Sequence, residues 1–221
     1  MPDFSALRRM MVDGQVRTSD VTERRLLAAM LELPRERFVP AQKMELAYLD
    51  LDIQVSEPGK PARWLLKPMV LAKLLQAAEI AETDHVLDVG CASGYSAALL
   101  GRLAGDVTAL EEDASLAQAA KKSLAALGAP NMTIVTGPLA AGWAQGGPYD
   151  VIVLEGATEV EPRGLLGQLK PGGRLLCVMR RGPAGNAMLF RALEGELRGI
   201  PIFDASAHLL PGFRKIPEFV F

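Results

Sequence analysis

The chain has few of the residues that build a disulfide framework or a metal centre. Only two of its 221 residues are cysteine and two are histidine. Cys91 and Cys177 lie far apart in apolar segments, so we predict free thiols in a reduced, cytoplasmic protein. Because His85 and His208 do not combine with them at any zinc-ligand spacing, no metal site is expected.

Long apolar runs and an excess of one charge are also lacking. No run reaches the length of about 20 apolar residues that a membrane-spanning helix needs, and no signal peptide is expected at the N-terminus. With 24 basic and 26 acidic residues, the formal net charge is -2. Composition therefore points to neither nucleic acid nor a membrane as a partner, and it leaves the oligomeric state open.

From residue 85 onward, short apolar runs alternate with segments of helical spacing. This rhythm predicts βαβ units and a parallel sheet with helices on both faces. After residue 181 the pattern changes to two strands joined by a turn at Glu194-Gly195, which predicts an antiparallel pair ending the sheet. The predicted strands are 85–89, 106–110, 132–136, 149–154, 174–179, 188–193 and 197–203.

The N-terminal part, about residues 4–50, is predicted to be helical. Asp20 to Glu23 has the form of a capping box, and apolar residues follow it at helical spacing until Pro34. Residues 51–63 are rich in proline and are expected to form an irregular loop. Pro68 opens another helix, and Asp113 is a candidate N-cap for a helix that ends near Gly128.

The most informative stretch is residues 86–94, where an apolar strand leads into a glycine-bracketed turn and then a helix. Such a turn lets a ligand lie against bare backbone, as nucleoside cofactors do in open parallel sheets. The alternative is that the two glycines only make a strand-to-helix turn. The predicted cofactor contacts here are Asp88, Gly90, Cys91, Ala92, Ser93 and Gly94.

The residues of this turn favour S-adenosylmethionine over a dinucleotide. A dinucleotide fingerprint has three glycines and places a pyrophosphate on the helix N-terminus, whereas the middle glycine position here is Ala92. Asp88 would repel a pyrophosphate, but it suits the ammonium group of a methionine. Glu111 follows Gly90 by about 20 residues, at the end of the next apolar run, where a carboxylate can accept both ribose hydroxyls.

These segments resemble the protein-L-isoaspartate O-methyltransferases over roughly residues 9–180. The N-terminal motifs together with residues 168–175 single out this family, because the glycine turn alone is generic to methyltransferases. The matching segments are Met11-Val12, Gln15-Val16-Arg17, Pro34-Arg35, Phe38-Val39-Pro40, Ala47-Tyr48, residues 86–90, Ser93-Gly94-Tyr95, Gly142-Trp143, Tyr149-Asp150 and residues 168–175.

The resemblance implies methyl transfer from S-adenosylmethionine to a carboxylate of damaged protein, with a peptide or protein as substrate. It implies an α/β fold: a Rossmann-like doubly wound sheet, mostly parallel with an antiparallel C-terminal strand pair, plus an N-terminal helical extension. Residues 1–66 would form that extension and the acceptor-side loop, and residues 67–221 the cofactor-binding core. Further implied cofactor contacts are Glu112, Pro138 and Leu139.

The chain departs from the family at positions near the methyl acceptor. Trp64 and Leu66 stand where the family has hydroxyl side chains, and Glu155 stands where threonine is usual. We therefore assign no catalytic residue, and a changed acceptor is one alternative. Ala92 and Pro138 also depart from the family, near the cofactor, which leaves a second alternative: a non-catalytic homologue acting through partners. A serine hydrolase built on Ser96 with His208 as its base is a third, weaker alternative.

Overall fold

The computed structural model describes residues 2–128, 130–182, 184–193 and 196–216. The helices are α1 (Phe4–Met11), α2 (Arg24–Glu32), α3 (Pro68–Ala77), α4 (Tyr95–Leu100) and α5 (Ala114–Ala126). The strands are β1 (Ile53–Gln54), β2 (Trp64–Leu65), β3 (His85–Val89), β4 (Asp106–Glu111), β5 (Met132–Thr136), β6 (Tyr149–Thr158), β7 (Leu169–Arg181), β8 (Ala184–Leu193) and β9 (Glu196–Asp204). Short 3-10 turns fill several of the connections.

One seven-stranded sheet forms the centre of the molecule, in the order β5-β4-β3-β6-β7-β8-β9. Pairing is parallel from β5 to β7 and antiparallel for β7–β8 and β8–β9. The inner strands have apolar centres, as expected for strands covered on both faces: Val86, Val107 and Val151 are completely buried. The predicted Rossmann-like fold, with its antiparallel C-terminal pair, is confirmed.

Three strands, β6, β7 and β8, are longer than predicted by four residues or more. β6 continues to Thr158, where it pairs with the extended β7. The C-terminal segment runs along its other side: Ala157 N–H donates to His208 O at 2.8 Å, and Leu210 N–H donates to Ala157 O at 2.9 Å. β7 starts already at Leu169, with a shift in register against β6. The predicted turn at Glu194-Gly195 lies outside the described residues.

The N-terminal part is helical as expected, but the predicted cap of α2 is wrong. The capping residue is Glu23, whose carboxylate accepts the Leu26 N–H at 2.6 Å. Asp20 instead adopts a left-handed conformation at the end of the preceding turn. Met11 of α1 and Leu26 of α2 belong to the same apolar cluster as Val86 of β3. The boundary between residues 66 and 67 stays a prediction.

Residues 51–63 are more ordered than an irregular loop. Gln54 pairs with Trp64 in a two-residue antiparallel ladder between β1 and β2, and the exposed tip from 57 to 62 lies between them. The ladder fixes the two ends of the tip close together. The predicted helix starts at Pro68 and after the N-cap Asp113 are confirmed.

The described residues include no helix long and apolar enough to cross a membrane. In the same part of the chain, no group of three His, Cys, Asp or Glu side chains is arranged to hold a metal ion. Cys91 and Cys177 are both buried and free.

Candidate cofactor site

The chain order in the sheet reverses at β3, which has β4 on one side and β6 on the other. In open α/β sheets, ligands bind beyond the carboxyl ends of the strands at such a reversal. Gly90 directly follows β3 and adopts a φ of 83°. The predicted glycine turn therefore lies where the fold itself favours a ligand.

The turn uses left-handed backbone at Gly90, Ala92 and Gly94, with φ values of 83°, 50° and 95°. A Cβ at Gly94 would lie 3.0 Å from the Cβ of Ala120 in α5, so glycine also permits close helix packing there. Ala92 carries a Cβ in a region that costs an L-residue about 1–2 kcal/mol. The Ala92 N–H donates to Glu111 Oε2 at 2.8 Å, which helps to hold this conformation.

Glu111 ends β4, on the strand next to Gly90, and is completely buried. Its Oε1 accepts the backbone N–H groups of Glu112 and Asp113 at 2.9 and 3.1 Å. Arg63 donates twice more, from Nε to Oε1 at 3.0 Å and from Nη2 to Oε2 at 2.9 Å. Together with the Ala92 contact, both carboxylate oxygens are fully engaged by the chain itself.

Arg63 is the residue that the sequence analysis missed. Only 3% of it is exposed, and its Nη2 also donates to Gly90 O at 2.9 Å. A Cβ at Gly90 would lie 2.7 Å from Arg63 Nη2, 3.1 Å from Leu210 Cδ2 and 3.4 Å from Leu139 Cδ1. The space in front of Gly90 is therefore filled by protein atoms. A single arginine in a loop gives no sign of a partner 48 positions away.

Asp88 lies in β3, close to the inner end of the site. Its Oδ2 accepts the Ser96 hydroxyl at 2.8 Å, while Oδ1 has no hydrogen-bond partner within the described ranges. Burial, reinforced by the charge of Glu111, raises the pKa of Asp88 to about 7. Ser96, which lies within α4, donates its hydroxyl to Asp88, and His208 stacks on Trp64 instead of contacting Ser96. The arrangement of a serine hydrolase is therefore not formed.

Glu155 is a second buried acid at this inner end. It lies in β6 just beyond the pair between Val89 and Leu154, and it is 6% exposed. Burial and the neighbouring Asp88 raise its pKa well above the usual range of a glutamate. Its Oε1 also lacks a partner among the residues that the structure covers. The inner end thus contains two acids in an environment that disfavours their charge.

The two predicted acceptor-side residues of the loop have different surroundings. The ring of Trp64 is half-buried and stacks on His208, with centroids 3.7 Å apart and planes 5° apart. Leu66 is only 2% exposed, and its carbonyl accepts Arg35 Nη2 at 2.8 Å. The stacked ring of Trp64 therefore connects the loop to the C-terminal segment that carries His208.

The remaining predicted contacts divide into buried and exposed residues. Cys91 and Ser93 are buried inside the turn, and Leu139 is buried against the Gly90 side. Glu112 and Pro138 are exposed. Glu112 borders a cleft of about 530 Å³ whose lining also includes Arg63, Lys60 and Asp113.

Arg35 connects several of the segments that resemble the family. It is completely buried, and its Nε donates to Ala47 O at 2.8 Å. Its guanidinium lies 4.7 Å from the centre of the Tyr95 ring. With the bond to Leu66 O, this one side chain ties the N-terminal helices to the loop and to α4. The Pro34-Arg35 and Ala47-Tyr48 motifs thus have a structural role next to the site.

The family model described as "Protein-L-isoaspartate(D-aspartate) O-methyltransferase (PCMT)" matches residues 8–196. A protein-L-isoaspartate O-methyltransferase of Rhodopseudomonas palustris is 34% identical over 211 residues, covering 91% of this chain and 95% of the relative. One from Koribacter versatilis is 39% identical over 173 residues, covering 78% of this chain and 76% of the relative.

Solved structures support the fold. A protein-L-isoaspartate O-methyltransferase superimposes with a TM-score of 0.81 at 24% identity, covering 93% of this chain and 66% of that one. A Plasmodium falciparum protein, provisionally described as a protein-L-isoaspartate O-methyltransferase and bound to S-adenosyl-L-homocysteine, gives 0.74 at 15% identity over 94% of this chain and 97% of that one. The match of the family model to residues 8–196 goes further: the chain belongs to the protein-L-isoaspartate (D-aspartate) O-methyltransferase family.

Proposed function

We propose that this chain is an S-adenosylmethionine-dependent O-methyltransferase that methylates the carboxylate of isoaspartyl residues in damaged proteins. The observation that carries the proposal is the position of Glu111: a buried acid at the carboxyl end of the strand next to the Gly90 turn, at the reversal of the sheet. Membership of the family supports the same reaction and substrate class.

The residue types around the Gly90 turn fit this cofactor. Glu111 can accept two ribose hydroxyls, and the bare backbone of Gly90 permits close approach of a ligand. Asp88 Oδ1, buried and without a partner in the described part of the chain, is a suitable acceptor for the ammonium of the methionine moiety. S-adenosylmethionine, when bound, supplies an activated methyl group. The exposed Glu112 and Pro138 would border the site rather than line it.

A carboxylate acceptor is already ionised at neutral pH, so no general base is needed. The protein's contribution is then to align the acceptor and exclude water, and alignment alone can supply about 7–11 kcal/mol of rate enhancement. Trp64, Leu66 and Glu155 would lie on the acceptor side.

A changed acceptor is the second candidate, and the surroundings of Glu155 favour it. Burial and Asp88 raise the pKa of Glu155. In its protonated form this acid can donate a hydrogen bond to an acceptor, and in its deprotonated form it can accept a proton from a neutral one. The stacked rings of Trp64 and His208 would also narrow the path by which an acceptor reaches the site from the loop. A non-catalytic homologue acting through partners is the third candidate, supported by the occupied space in front of Gly90.

We also propose a cytoplasmic location and a peptide or protein partner. The two buried free thiols, Cys91 and Cys177, support a reducing compartment. The family name supports a protein substrate.

Calorimetric titration with S-adenosylhomocysteine tests the cofactor, and methyl transfer to a synthetic peptide tests the acceptor. We expect micromolar binding that Glu111→Ala weakens about tenfold or more, corresponding to about 1.4 kcal/mol. The exposed Asp13→Ala is the matched control and should bind like the wild type. An isoaspartyl peptide should accept methyl groups, and the same peptide with ordinary aspartate should not. A folded wild-type protein that binds no S-adenosylhomocysteine would contradict the proposal.

A further inference from the structure

Arg63 occupies the position at which a ligand would meet Glu111 and Gly90. It lies in the segment 56–64, which we call the strap and which crosses the carboxyl ends of β3 and β4. The guanidinium makes two bonds to the Glu111 carboxylate, at 3.0 and 2.9 Å, and a third to Gly90 O, at 2.9 Å. The planar guanidinium donates two parallel N–H bonds to the carboxylate, as the two adjacent hydroxyls of a ribose would.

The two ligands of Glu111 exclude each other. Both of its oxygens already accept Arg63 in addition to backbone N–H groups, so ribose hydroxyls can be accepted only after the guanidinium leaves. The face of Gly90 is blocked in the same way, because a single added carbon there would lie 2.7 Å from Arg63 Nη2.

We propose that Arg63 is an internal competitor for the cofactor, and that the strap is a latch that must withdraw before S-adenosylmethionine binds. The inference rests on the proposed function, because it assumes that Glu111 accepts the ribose. It makes the apparent affinity for the cofactor a product of the intrinsic affinity and the fraction of molecules with the strap open.

The strap is attached in a way that permits such a movement. Its tip from 57 to 62 is exposed, and its ends are joined by Val55 N–H to Arg63 O at 2.9 Å and Arg63 N–H to Ser56 Oγ at 3.1 Å. Besides such short-range bonds and the pairing of Trp64 with Gln54, the described polar and aromatic contacts of the strap are three: the Arg63 ion pair with Glu111, the bond from Arg63 to Gly90 O, and the stack of Trp64 on His208. Loss of the ion pair therefore removes a principal attachment.

The first test is the affinity for S-adenosylhomocysteine, measured by calorimetry. Arg63→Ala should bind at least about tenfold more tightly than the wild type, because the competing closed state is lost. Arg63→Lys keeps the charge without the fork and should lie between the two. Arg17→Ala, which removes an exposed arginine paired with Asp13, is the matched control and should leave the affinity unchanged.

A second readout does not depend on turnover. In hydrogen–deuterium exchange of the free protein, Arg63→Ala should exchange the amides of residues 55 and 63 faster than the wild type. Saturating S-adenosylhomocysteine should accelerate the same amides in the wild type, because the ligand displaces the strap. If Arg63→Ala does not fold, Arg63→Lys carries the same expectations at a smaller size.

The outcomes separate the latch from the proposed function. Equal or weaker binding by Arg63→Ala, with clear binding by the wild type, overturns the latch and leaves the cofactor site intact. Binding by neither the wild type nor the folded Arg63 variants overturns both. Slower exchange of the strap amides in the liganded wild type also overturns the latch, because it means that the ligand binds with the strap closed.

Discussion

The buried acids at the two ends of the candidate site have opposite surroundings. At the outer end, Glu111 is fully buried and receives a bidentate arginine and three backbone N–H groups. At the inner end, Asp88 receives only the Ser96 hydroxyl, and Glu155 lies beside it. The pKa of Asp88 rises to about 7 and that of Glu155 rises well above its usual range, because burial disfavours their charge.

Only one of the two ends has all the partners of its buried acid supplied by the described chain. Glu111 has the cation and hydrogen bonds that a buried carboxylate needs, so a ligand must displace something to reach it. Asp88 has an oxygen without a partner in the described residues, so an added cationic or donor group would stabilise it. The outer end therefore controls access, and the inner end retains unsatisfied polar groups that a ligand could satisfy.

Glu111→Ala should have the largest effect on stability. It leaves the buried Arg63 without its partner, and breaking a buried pair in this way costs about 3–5 kcal/mol. Urea unfolding followed by circular dichroism measures the change. Asp13→Ala breaks the exposed pair with Arg17 and should change the free energy of unfolding by about 0.5 kcal/mol or less. A similar, small loss for both variants would show that the outer end is not held by this ion pair.

Asp88→Asn should change how stability depends on pH. Because the folded-state pKa of Asp88 is raised from 3.8 to about 7, its contribution is fully present at low pH and is lost as the pH rises through that value. The variant should therefore gain stability relative to the wild type between pH 4 and pH 8, by about 1.4 kcal/mol per unit of pKa shift.

Unfolding of Asp88→Asn and wild type at several pH values tests this directly, and the difference between them removes the contributions of other groups. A difference that stays constant from pH 4 to pH 8 would mean that the inner end is more solvated than its burial indicates.

Trp64→Ala should have a moderate effect. The parallel stack on His208 is the second attachment of the strap, and aromatic pairs contribute about 0.5–1.5 kcal/mol beyond the area that they bury. A double-mutant cycle of Trp64→Ala and His208→Ala, measured by urea unfolding, isolates this term. Additive effects of the two substitutions would show that the stack does not hold the strap, and that Arg63 alone closes the outer end.

Ala92→Gly should have the smallest effect. Its φ of 50° favours glycine, so the substitution should stabilise the protein by up to about 1 kcal/mol. Ala97→Gly, in the interior of α4, is the contrasting variant and should destabilise by about 1 kcal/mol. Differential scanning calorimetry compares the two melting temperatures. Destabilisation by both would mean that the backbone of the turn is not strained at this residue.

The fold could be predicted from the sequence because its signals are local. Apolar runs and glycine turns gave the inner strands, and the bounds of β3 and β5 agree with the prediction. The ends of β6 and β7 could not be found in this way. The extension of β6 depends on pairing with the extended β7 and with residues near 209, which no local pattern indicates. The prediction of Asp20 as the helix cap was wrong because Glu23, three residues later, caps the helix instead.

The candidate site could be predicted only in part, for a related reason. Asp88, Gly90 and Glu111 lie at or directly beyond the carboxyl ends of strands, and the topology brings such positions together regardless of the loops. Arg63 lies in a loop whose path depends on its partner, so neither periodicity nor motif could identify it. Its effect is to place a cation where the sequence predicts a ligand, and it does so 48 positions before Glu111.

A crystal structure of the wild-type chain with S-adenosylhomocysteine is the most direct test of the latch. We expect the ribose hydroxyls on Glu111, the methionine ammonium near Asp88, and the Arg63 guanidinium withdrawn from both Glu111 and Gly90. A structure with the ligand bound in the cleft while Arg63 still pairs with Glu111 would contradict it.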